Sequence, residues 1–404
     1  MIRDIFLLQN PWRTQTDFTF NLKNRYILPL LISALSSPKN ILGLIGSRQV
    51  GKSSLIFLLI KHLLQHGTNS KNIFYFNLDD LKLHELFDNM PDFIDFTGAK
   101  NGGIFIFIDE VQRLENPGLF LKALYDLGLN IKIIYSGSSQ LEIKSKLREH
   151  LVGRVRQFEI QRLCFKEYID FNQPITQKEA LGELLLYGSY PGVALEKEKL
   201  EKKLAIKDIY QSYIEKDLVD FLHVTNISSF NTLLGLLANQ IGNLLNIENL
   251  SNAARIPRKE IEKFITILES TFIIKRLNPF HRNYKKEITK TPKIFFLDLG
   301  LRNYAINNFN QLTLRNDQGE LFENFIFLEL LHKDYHGLTK LNYWRTTNQT
   351  EIDFILSNEN GVEAIEVKYQ RETPPKSFKT LQRYYPEIKT KLITKKTFLA
   401  PDKF

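Results

Sequence analysis

The chain has 404 residues, enough for two or three domains at about 150 residues each. Hydrophobic residues make up 43% and charged residues 25%, a globular composition that excludes a disordered or fibrous chain. The net charge of +9 permits a nucleic-acid partner without demanding one. Cys164 is the only cysteine, which excludes an intrachain disulfide and favours a reducing compartment. Because no apolar stretch approaches the roughly 20 residues of a membrane span and the N-terminus lacks a secretory pattern, we expect a cytoplasmic protein without a membrane partner.

Apolar runs alternate with helical patterns in the first third of the chain, which predicts an α/β fold with a parallel sheet and crossover helices. Each run is apolar at nearly every position, as in strands that are buried on both faces. The predicted strands are Asn40–Ile45, Ile73–Leu78, Ile104–Ile108, Ile131–Tyr135 and Val155–Ile160. A helix is predicted from Lys52 to His66, ending at Gly67.

The segment Gly46–Ser53 reads GSRQVGKS and fits the phosphate-binding loop pattern G-x-x-x-x-G-K-[ST]. Because it follows an apolar strand and opens a helix, its N–H groups and the helix N-terminus can bind phosphate. We expect Lys52 to reach the β- and γ-phosphates and Ser53 to ligate Mg²⁺, with ATP as the nucleotide. The predicted nucleotide-binding residues of this loop are Gly46, Ser47, Arg48, Gln49, Val50, Gly51, Lys52, Ser53 and Ser54.

Two carboxylates end the third predicted strand. Asp109 is expected to join Ser53 in the Mg²⁺ shell and to contact the bound nucleotide through that ion. Glu110 is expected to act as general base toward the attacking water. This adjacent glutamate favours a hydrolase over a kinase, because a kinase needs a second substrate pocket.

Polar and basic residues near the later strands are further candidates. Ser138 follows the fourth strand, where it either contacts the γ-phosphate and orients water or belongs to a plain turn. Arg154 precedes the last strand and is a candidate catalytic arginine, acting on phosphate in cis or from another copy of the chain in trans. Arg156 and Arg48 are the alternatives.

These motifs, together with Val111–Arg113 and Ser136–Ser139, resemble those of the AAA-type ATPases of archaea and bacteria, relatives of the signal-transducing NTPases with numerous domains. Gln9–Arg13 also recurs in that group. Gly188–Gly192 resembles the Gly-x-Pro motif of the helical lid in these relatives, where the proline packs on adenine. The resemblance implies that role for Pro191, and the alternative is a plain interhelical turn.

A helix-turn-helix is predicted by the spacing of Ile247–Ala254, the turn at Arg255–Pro257 and the helix Arg258–Thr271. Strand-like Phe272–Leu277 and Lys293–Asp298 then flank a loop that predicts a wing. Between residues 255 and 293, eleven Lys/Arg against four Glu leave +7 of the chain's +9. The predicted DNA contacts are Arg258, Lys259, Lys263, Arg282, Lys285 and Lys286. The alternatives are a lid extension and an acidic protein partner.

Two acidic strands lie near the C-terminus, Glu351–Ile355 and Glu363–Lys368. Since alternate residues of a strand face the same way, Glu366 and Lys368 project together, with Asp353 on the neighbouring strand. Asp353 and Glu366 can bind Mg²⁺, which polarises a phosphodiester while Lys368 orients the water. Glu323 is expected to complete the metal shell; the alternative is an amphipathic strand with solvated charges.

This arrangement resembles the restriction-endonuclease-like fold, whose signature is Asp, a gap, then Glu-x-Lys, and Tyr343–Arg345 also recurs there. Changes of pattern near residues 160, 226 and 291 divide the chain into four predicted domains. They are a P-loop ATPase of the ASCE/AAA type (1–160), a helical lid (161–225), a winged helix-turn-helix (226–290) and a nuclease-like α/β domain (291–404). We expect an ATP-dependent switch coupled to DNA binding, with cleavage left open. The alternative is a regulatory ATP-binding protein that binds DNA, a protein or another copy of itself without cutting.

Overall fold

The computed structural model describes residues 2–15, 18–37, 41–138, 151, 153–173, 175–213, 226–281, 291–335 and 337–400. The chain divides into two compact units, Met1–Gln161 and Arg162–Phe404. Within the described ranges no helix is long and apolar enough to cross a membrane. The finer division into four domains stays a prediction.

A five-stranded parallel sheet forms the centre of the first unit. Its strands are β1 (Ile41–Ile45), β2 (Ile73–Asn77), β3 (Ile104–Asp109), β4 (Ile131–Gly137) and β5 (Val155–Glu159). They lie in the order β2-β3-β4-β1-β5, and every neighbouring pair is parallel. The five predicted strands are therefore confirmed to within two residues at each end, although Asn40 lies outside the described residues.

Helices flank this sheet because each presents an apolar stripe to the strands. They are α1 (Ile2–Gln9), α2 (Leu28–Leu35), α3 (Lys52–Gln65), α4 (His84–Asp88), α5 (Met90–Thr97) and α6 (Pro117–Asp126). Phe6 of α1 packs on Phe74 and Phe76 of β2, with ring centroids 5.7 and 5.3 Å apart. Helix α3 follows the phosphate-binding loop directly and ends one residue before the predicted end, ahead of Gly67 at φ +83°.

The second unit begins with a helical part. Its helices are α7 (Phe165–Phe171), α8 (Gln177–Tyr187), α9 (Pro191–Leu195), α10 (Lys199–Ser212), α11 (Ile227–Asn239), α12 (Ile247–Ala254) and α13 (Arg258–Ser270). Helices α12 and α13 occupy the positions predicted for the helix-turn-helix, joined through Arg255 in the left-handed region at φ 54°. An antiparallel pair follows, β6 (Ile274–Leu277) and β7 (Lys293–Phe296). The predicted wing between them falls largely on residues 282–290, outside the described residues.

A four-stranded mixed sheet forms the C-terminal part of the second unit. The elements after β7 are α14 (Leu299–Ala305), α15 (Gln318–His332), β8 (Lys340–Arg345), β9 (Glu351–Asn358), β10 (Gly361–Lys368), α16 (Lys376–Tyr384), β11 (Lys389–Thr394) and α17 (Lys395–Phe398). The strand order is β11-β10-β9-β8, with β10 and β11 parallel and joined through α16. One apolar cluster joins Trp344, Ile352, Ile355 and Ala364 to Phe378 and Leu381 of α16.

Asn324 links helix α15 to strand β7 by two hydrogen bonds. Its side-chain amide accepts a hydrogen bond from the N–H of Phe296 at 2.9 Å and donates one to the carbonyl of Phe296 at 2.7 Å. Stacking of Phe295 on Phe327, with centroids 4.4 Å apart, adds apolar contact between the same two elements. Both polar groups of Asn324 are thus satisfied at a fully buried position, which fixes β7 against α15.

Candidate functional site

The register of the parallel sheet gathers the predicted nucleotide-site residues at one edge. Ile45, the last residue of β1, lies opposite Gly137 of β4, while Ile108 of β3 lies opposite Tyr135 of the same strand. The carboxyl ends of β1, β3 and β4 therefore meet, and the phosphate-binding loop, the two carboxylates and Ser138 each follow one of these ends. In open α/β sheets this edge is where ligands bind.

The loop needs backbone freedom and close packing. Gly51 adopts φ 93°, and Gln49 also lies in the left-handed region at φ 59°. A Cβ at Gly46 would collide with the carbonyl oxygen of Ile160, so only glycine allows the loop to pass so close to the end of β5. Buried Arg25 holds the loop from behind, since its guanidinium donates to the carbonyl of Val50 at 3.0 Å.

Lys52 lies at the end of the phosphate-binding loop, where it is predicted to contact the phosphates. Its side chain is buried, and Nζ donates to the carbonyl oxygens of Gly46 at 3.0 Å and Ser47 at 2.9 Å. The loop backbone thereby holds an ammonium group at the mouth of the anion-binding N-terminus of α3. Ser53 and Ser54 follow on the first turn of that helix, and both are half-buried.

Asp109 is oriented by two hydroxyl groups. Tyr75 Oη donates to Oδ2 at 3.0 Å, and Ser136 Oγ donates to Oδ1. Burial and the neighbouring charge of Asp109 raise the pKa of Tyr75, which keeps this hydroxyl protonated as a donor. Asp109 itself is only 2% exposed, so the two hydroxyls fix a nearly inaccessible carboxylate at the tip of β3.

Glu110 belongs to a small polar network with Ser138. Ser138 Oγ donates to Glu110 Oε2 at 3.2 Å, and Gln112 Nε2 donates both to that carboxylate oxygen and to Ser138 Oγ, the latter at 3.0 Å. Glu110 has φ 57°, an uncommon backbone conformation for a residue other than glycine, and its N–H donates to Ser136 Oγ at 3.1 Å. The structure thus brings together the predicted general base and the predicted γ-phosphate contact.

A cavity of about 500 Å³ borders both predicted Mg²⁺ ligands of this unit, Ser53 and Asp109. A hydroxyl and a carboxylate are hard oxygen donors, and Mg²⁺ commonly takes one or two protein oxygens with phosphates and waters completing its shell. The residues present therefore fit Mg²⁺ at this corner of the loop. The other walls are mainly apolar and come from Leu8, Gln9, Pro11, Trp12, Phe18, Phe20, Phe57, Tyr75 and Asn77.

Arg154 lies at the opposite edge of the sheet, which corrects the prediction of a contact in cis. The register pairs Val155 with Ile41, so Arg154 lies where β1 begins, whereas the phosphate-binding loop begins where β1 ends. The five residues of β1 separate these edges by roughly 16 Å. Arg154 instead pairs with Asp126 at 3.4 Å, at the end of α6. A role in trans stays a prediction.

Gly188–Gly192 forms the turn between α8 and α9. Gly188 adopts φ +74°, and a Cβ there would collide with the carboxylate of buried Asp298, which accepts a hydrogen bond from the N–H of Ser189 at 2.8 Å. Pro191 is the first residue of α9, a position that suits proline because its N–H would be unsatisfied there. These contacts explain the motif as a turn, and the packing of Pro191 on adenine stays a prediction.

The described DNA-contact candidates share one face of α13. Arg258, Lys259 and Lys263 are all exposed, and Arg258 forms a solvent-exposed pair with Glu262 at 3.1 Å. The apolar residues of the helix, such as Ile261 and Phe264, are buried. Arg282, Lys285 and Lys286 lie outside the described residues.

In the C-terminal sheet, Asp353, Glu366 and Lys368 meet as the sequence predicts. Lys368 Nζ lies 2.9 Å from Glu366 Oε1 and 3.7 Å from Asp353 Oδ2, and Asp353 also accepts a hydrogen bond from the N–H of Val367 at 2.8 Å. Burial and the neighbouring Asp353 raise the pKa of Glu366 to about 7, despite the opposing effect of Lys368.

Lys293 corrects the interpretation of the basic segment. The sequence counts it among the eleven Lys/Arg of that segment, but the side chain is 3% exposed and reaches the same acidic region. Its Nζ lies 2.5 Å from Glu351 Oε1 and 3.4 Å from Glu323 Oε1. Glu323, predicted as a metal ligand, is therefore paired with a lysine. Burial, together with Asp353 and Glu351, raises the pKa of Glu323 to about 8 although Lys293 opposes this.

The four carboxylates Glu323, Glu351, Asp353 and Glu366 are called the acidic cluster below. Lysine ammonium groups occupy the space between them, and among the described residues no group of three or more His, Cys, Asp or Glu side chains is placed to hold a metal ion. As it stands, the cluster does not fit the divalent ion that the sequence predicts there.

Tyr75, Ser136, Gln112 and Lys293 contribute to these sites through contacts that the sequence does not predict. The first three act through neighbouring strands or through a turn, so their position depends on sheet register. Ser136 could have been predicted from the sequence. It lies on β4 two residues before Ser138, and alternate residues of a strand face the same way.

Comparisons with known proteins agree with this geometry. Residues 38–169 match a family model described as an AAA domain, while residues 178–312 and 318–401 match two domains of unknown function, DUF8612 and DUF4143. The chain is 27% identical over 355 residues to an uncharacterized protein of Methanocaldococcus jannaschii, MJ1544, covering 82% of this chain and 75% of that protein. It is also 27% identical over 339 residues to an uncharacterized protein of Haemophilus influenzae, covering 80% and 81%.

Among solved structures, the chain is similar to a Walker-type ATPase of Pyrococcus abyssi. The TM-score is 0.50 at 14% identity, and the match covers 71% of this chain and 97% of that one. At this identity the likeness concerns the fold alone. Together with the AAA-domain match and the loop geometry, it supports a P-loop NTPase fold, similar to that of AAA ATPases, around the five-stranded sheet.

Proposed function

We propose that the chain is a Mg²⁺-dependent ATPase whose nucleotide state switches a DNA-binding second unit. The observation that carries the ATPase part is the meeting of Lys52, Asp109 and Glu110 at one edge of the parallel sheet, each held by hydrogen bonds within the first unit. Phosphoryl transfer to water requires an ammonium group, a metal-binding carboxylate and a general base, and these three residues supply them.

Each residue has a distinct role in this proposal. The loop N–H groups and Lys52 bind the phosphates, while Ser53 and Asp109 would hold Mg²⁺, whose charge offsets that of the phosphate oxygens. Gln112 and Ser138 orient Glu110, which accepts a proton from the attacking water. Bound ATP orders the phosphate-binding loop, and hydrolysis of the ATP relaxes this loop. The nucleotide therefore acts as a switch.

Replacing Glu110 by glutamine is expected to lower the rate of ATP turnover by about 10² to 10⁴-fold, because general-base assistance is lost while the phosphate contacts remain. Lys52→Ala is expected to abolish ATP binding itself. Turnover is measured by phosphate release and binding by titration with a fluorescent ATP analogue. The matched controls, Glu115→Gln and Lys61→Ala, change the same residue types outside the site and should behave as wild type. Turnover by Lys52→Ala at the wild-type rate would contradict the proposal.

DNA binding is supported by the exposed basic face of α13. A helix that follows a turn and presents Arg258, Lys259 and Lys263 to solvent is suited to contact phosphates in a groove. The strand pair β6 and β7 after it has the connectivity of a winged helix. We infer that this face binds DNA mainly through the phosphate backbone.

Changing Arg258, Lys259 and Lys263 together to alanine is expected to weaken DNA binding and to flatten its salt dependence. Each lost phosphate contact lowers the slope of log K against log salt by about 0.9. Fluorescence anisotropy of a labelled duplex at several salt concentrations measures both effects. The control removes three exposed lysines of the same charge elsewhere, Lys197, Lys199 and Lys207. If the control loses as much affinity as the α13 variant, the face on α13 is not the binding site.

The contacts of the acidic cluster favour a resting state in which the C-terminal domain binds DNA without cutting it. Lys293 and Lys368 neutralise the carboxylates that phosphodiester cleavage would use, Asp353 and Glu366 among them. Cleavage is the second candidate function, and the meeting of Asp353, Glu366 and Lys368 favours it.

Supercoiled plasmid is therefore expected to stay intact in the presence of the wild-type chain, ATP and Mg²⁺, because lysine ammonium groups already pair with Glu323, Asp353 and Glu366. Agarose electrophoresis of the plasmid provides the measurement, with Asp353→Ala as the control for contaminating nuclease. If the wild-type chain cuts the plasmid and Asp353→Ala does not, the domain is a nuclease and the non-cutting state is contradicted.

A further inference from the structure

The cavity of about 500 Å³ beside the phosphate-binding loop is larger than a Mg²⁺ site needs. Ser53 and Asp109 form one end of it, where their oxygens suit the ion. A water molecule takes about 30 Å³, so Mg²⁺ with four waters would occupy roughly a quarter of the volume. The remainder is large enough for a small organic molecule.

Five aromatic side chains line this cavity and form one connected cluster. Neighbouring rings in the cluster have centroids 4.8 to 6.5 Å apart. Its members are Trp12, Phe18, Phe20, Phe57 and Tyr75. The three phenylalanines are only half-buried, so part of their apolar surface remains accessible. A flat apolar ligand would gain free energy by covering these rings.

Side-chain amides fix the N-terminal wall of the cavity to the edge strand β2. Asn10 pairs with Tyr75 as a neighbouring strand would, since its Nδ2 donates to the carbonyl of Tyr75 at 2.8 Å and its Oδ1 accepts from the N–H at 2.8 Å. Gln9 Oε1 likewise accepts a hydrogen bond from the N–H of Asn77 at 2.8 Å. This wall is therefore in place before a ligand binds, which lowers the cost of binding.

The charges on the cavity walls favour an uncharged ligand. None of the eleven described residues that line the cavity is Lys, Arg or His, so an anion would find no counter-charge there. Asp109 is the single carboxylate among them, and its two oxygens accept hydrogen bonds from Tyr75 and Ser136 at the Mg²⁺ end. An organic cation would therefore have to compete with the metal ion for this carboxylate.

The indole N–H of Trp12 indicates a further property of the ligand. Trp12 is buried in the cavity wall, and its Nε1 has no hydrogen-bond partner among the described residues. Buried donors in native proteins are almost always satisfied. A hydrogen-bond acceptor on a molecule bound against Trp12 would satisfy this one.

We propose that this cavity binds an uncharged, planar aromatic molecule that carries a hydrogen-bond acceptor, such as a nitrogen heterocycle. The aromatic cluster covers its ring, and the indole N–H of Trp12 donates to its acceptor. The bound molecule lies next to the Mg²⁺ end of the cavity, so the first unit has a second ligand site beside the phosphate-binding loop. Binding there requires neither nucleotide nor DNA and is tested separately from the proposed ATPase.

Two matched probes test this site on the full chain without nucleotide or metal. Quinoline is uncharged at neutral pH and carries one acceptor nitrogen, whereas N-methylquinolinium has the same rings, a positive charge and no acceptor. Titrations followed by ligand-observed NMR measure both dissociation constants. We expect quinoline to bind with a dissociation constant of about 1 mM or below, in keeping with its small size. It should bind at least about five-fold more tightly than N-methylquinolinium, because only quinoline accepts a hydrogen bond.

Two variants of the cavity wall show where the probe binds. Trp12→Phe keeps an aromatic ring but removes the N–H donor, and it is expected to weaken quinoline binding about five-fold. Phe20→Leu removes one half-buried ring and is also expected to weaken quinoline binding. The matched controls, Trp344→Phe and Phe309→Leu, change the same residue types outside the cavity and should bind quinoline as the wild type does.

Thermal unfolding of each variant shows whether it is folded, and Phe20→Leu decides the question if Trp12→Phe is not. The proposal is wrong if quinoline shows no saturable binding, or if both wall variants bind it as tightly as the wild type. Tighter binding of N-methylquinolinium than of quinoline would overturn the assignment of an uncharged ligand. Lys52→Ala should bind quinoline normally, so a failure of the proposed ATPase is distinguishable from a failure of this site.

Discussion

The parallel register of β1, β3 and β4 is the constraint on which the nucleotide site depends. It aligns three carboxyl ends at one edge, and each end then contributes one chemical component: a loop that binds phosphate, a carboxylate pair and a serine. Asp109 could not receive hydrogen bonds from Tyr75 on β2 and Ser136 on β4 if either pairing slipped by one residue, because a slip turns every side chain to the other face.

The phosphate-binding loop and the acidic cluster differ in the sign of the charge that they present. In the first unit, the loop and Lys52 present positive charge toward a place where phosphate binds, with loop carbonyls holding the ammonium. In the second unit, carboxylates crowd together and lysines of the same chain lie between them. The first arrangement is prepared for an anionic ligand, whereas the second already contains its counter-ions. This difference is why we assign chemistry to the first and a resting, non-cutting state to the second.

The sequence predicted the elements that local pattern determines. The five strands were found because continuous apolar runs indicate burial on both faces, and the phosphate-binding loop because its glycines and lysine have fixed spacing. The sequence also predicted that Asp353, Glu366 and Lys368 would meet, since strand alternation is a local rule.

What the sequence missed depends on contacts between distant segments. Tyr75 donates to Asp109 and Gln112 donates to Ser138, and only the folded register brings these partners near. Lys293 was counted with the basic segment because a charge count contains no information about burial, and its partners lie 30 and 58 residues further along the chain. For Arg154 the sequence left a contact in cis or in trans open, and its place before β5, at the far edge of the sheet, excludes the contact in cis.

The most direct test of the account is the DNA affinity of Glu110→Gln, measured by fluorescence anisotropy with saturating ATP and again with saturating ADP. The variant should hold ATP without hydrolysing it, so each state can be measured at equilibrium. A nucleotide switch predicts dissociation constants that differ by at least about five-fold, since allosteric coupling is typically about 1–3 kcal/mol. Equal constants, with both nucleotides shown to be bound, would contradict the claim that the ATPase controls DNA binding.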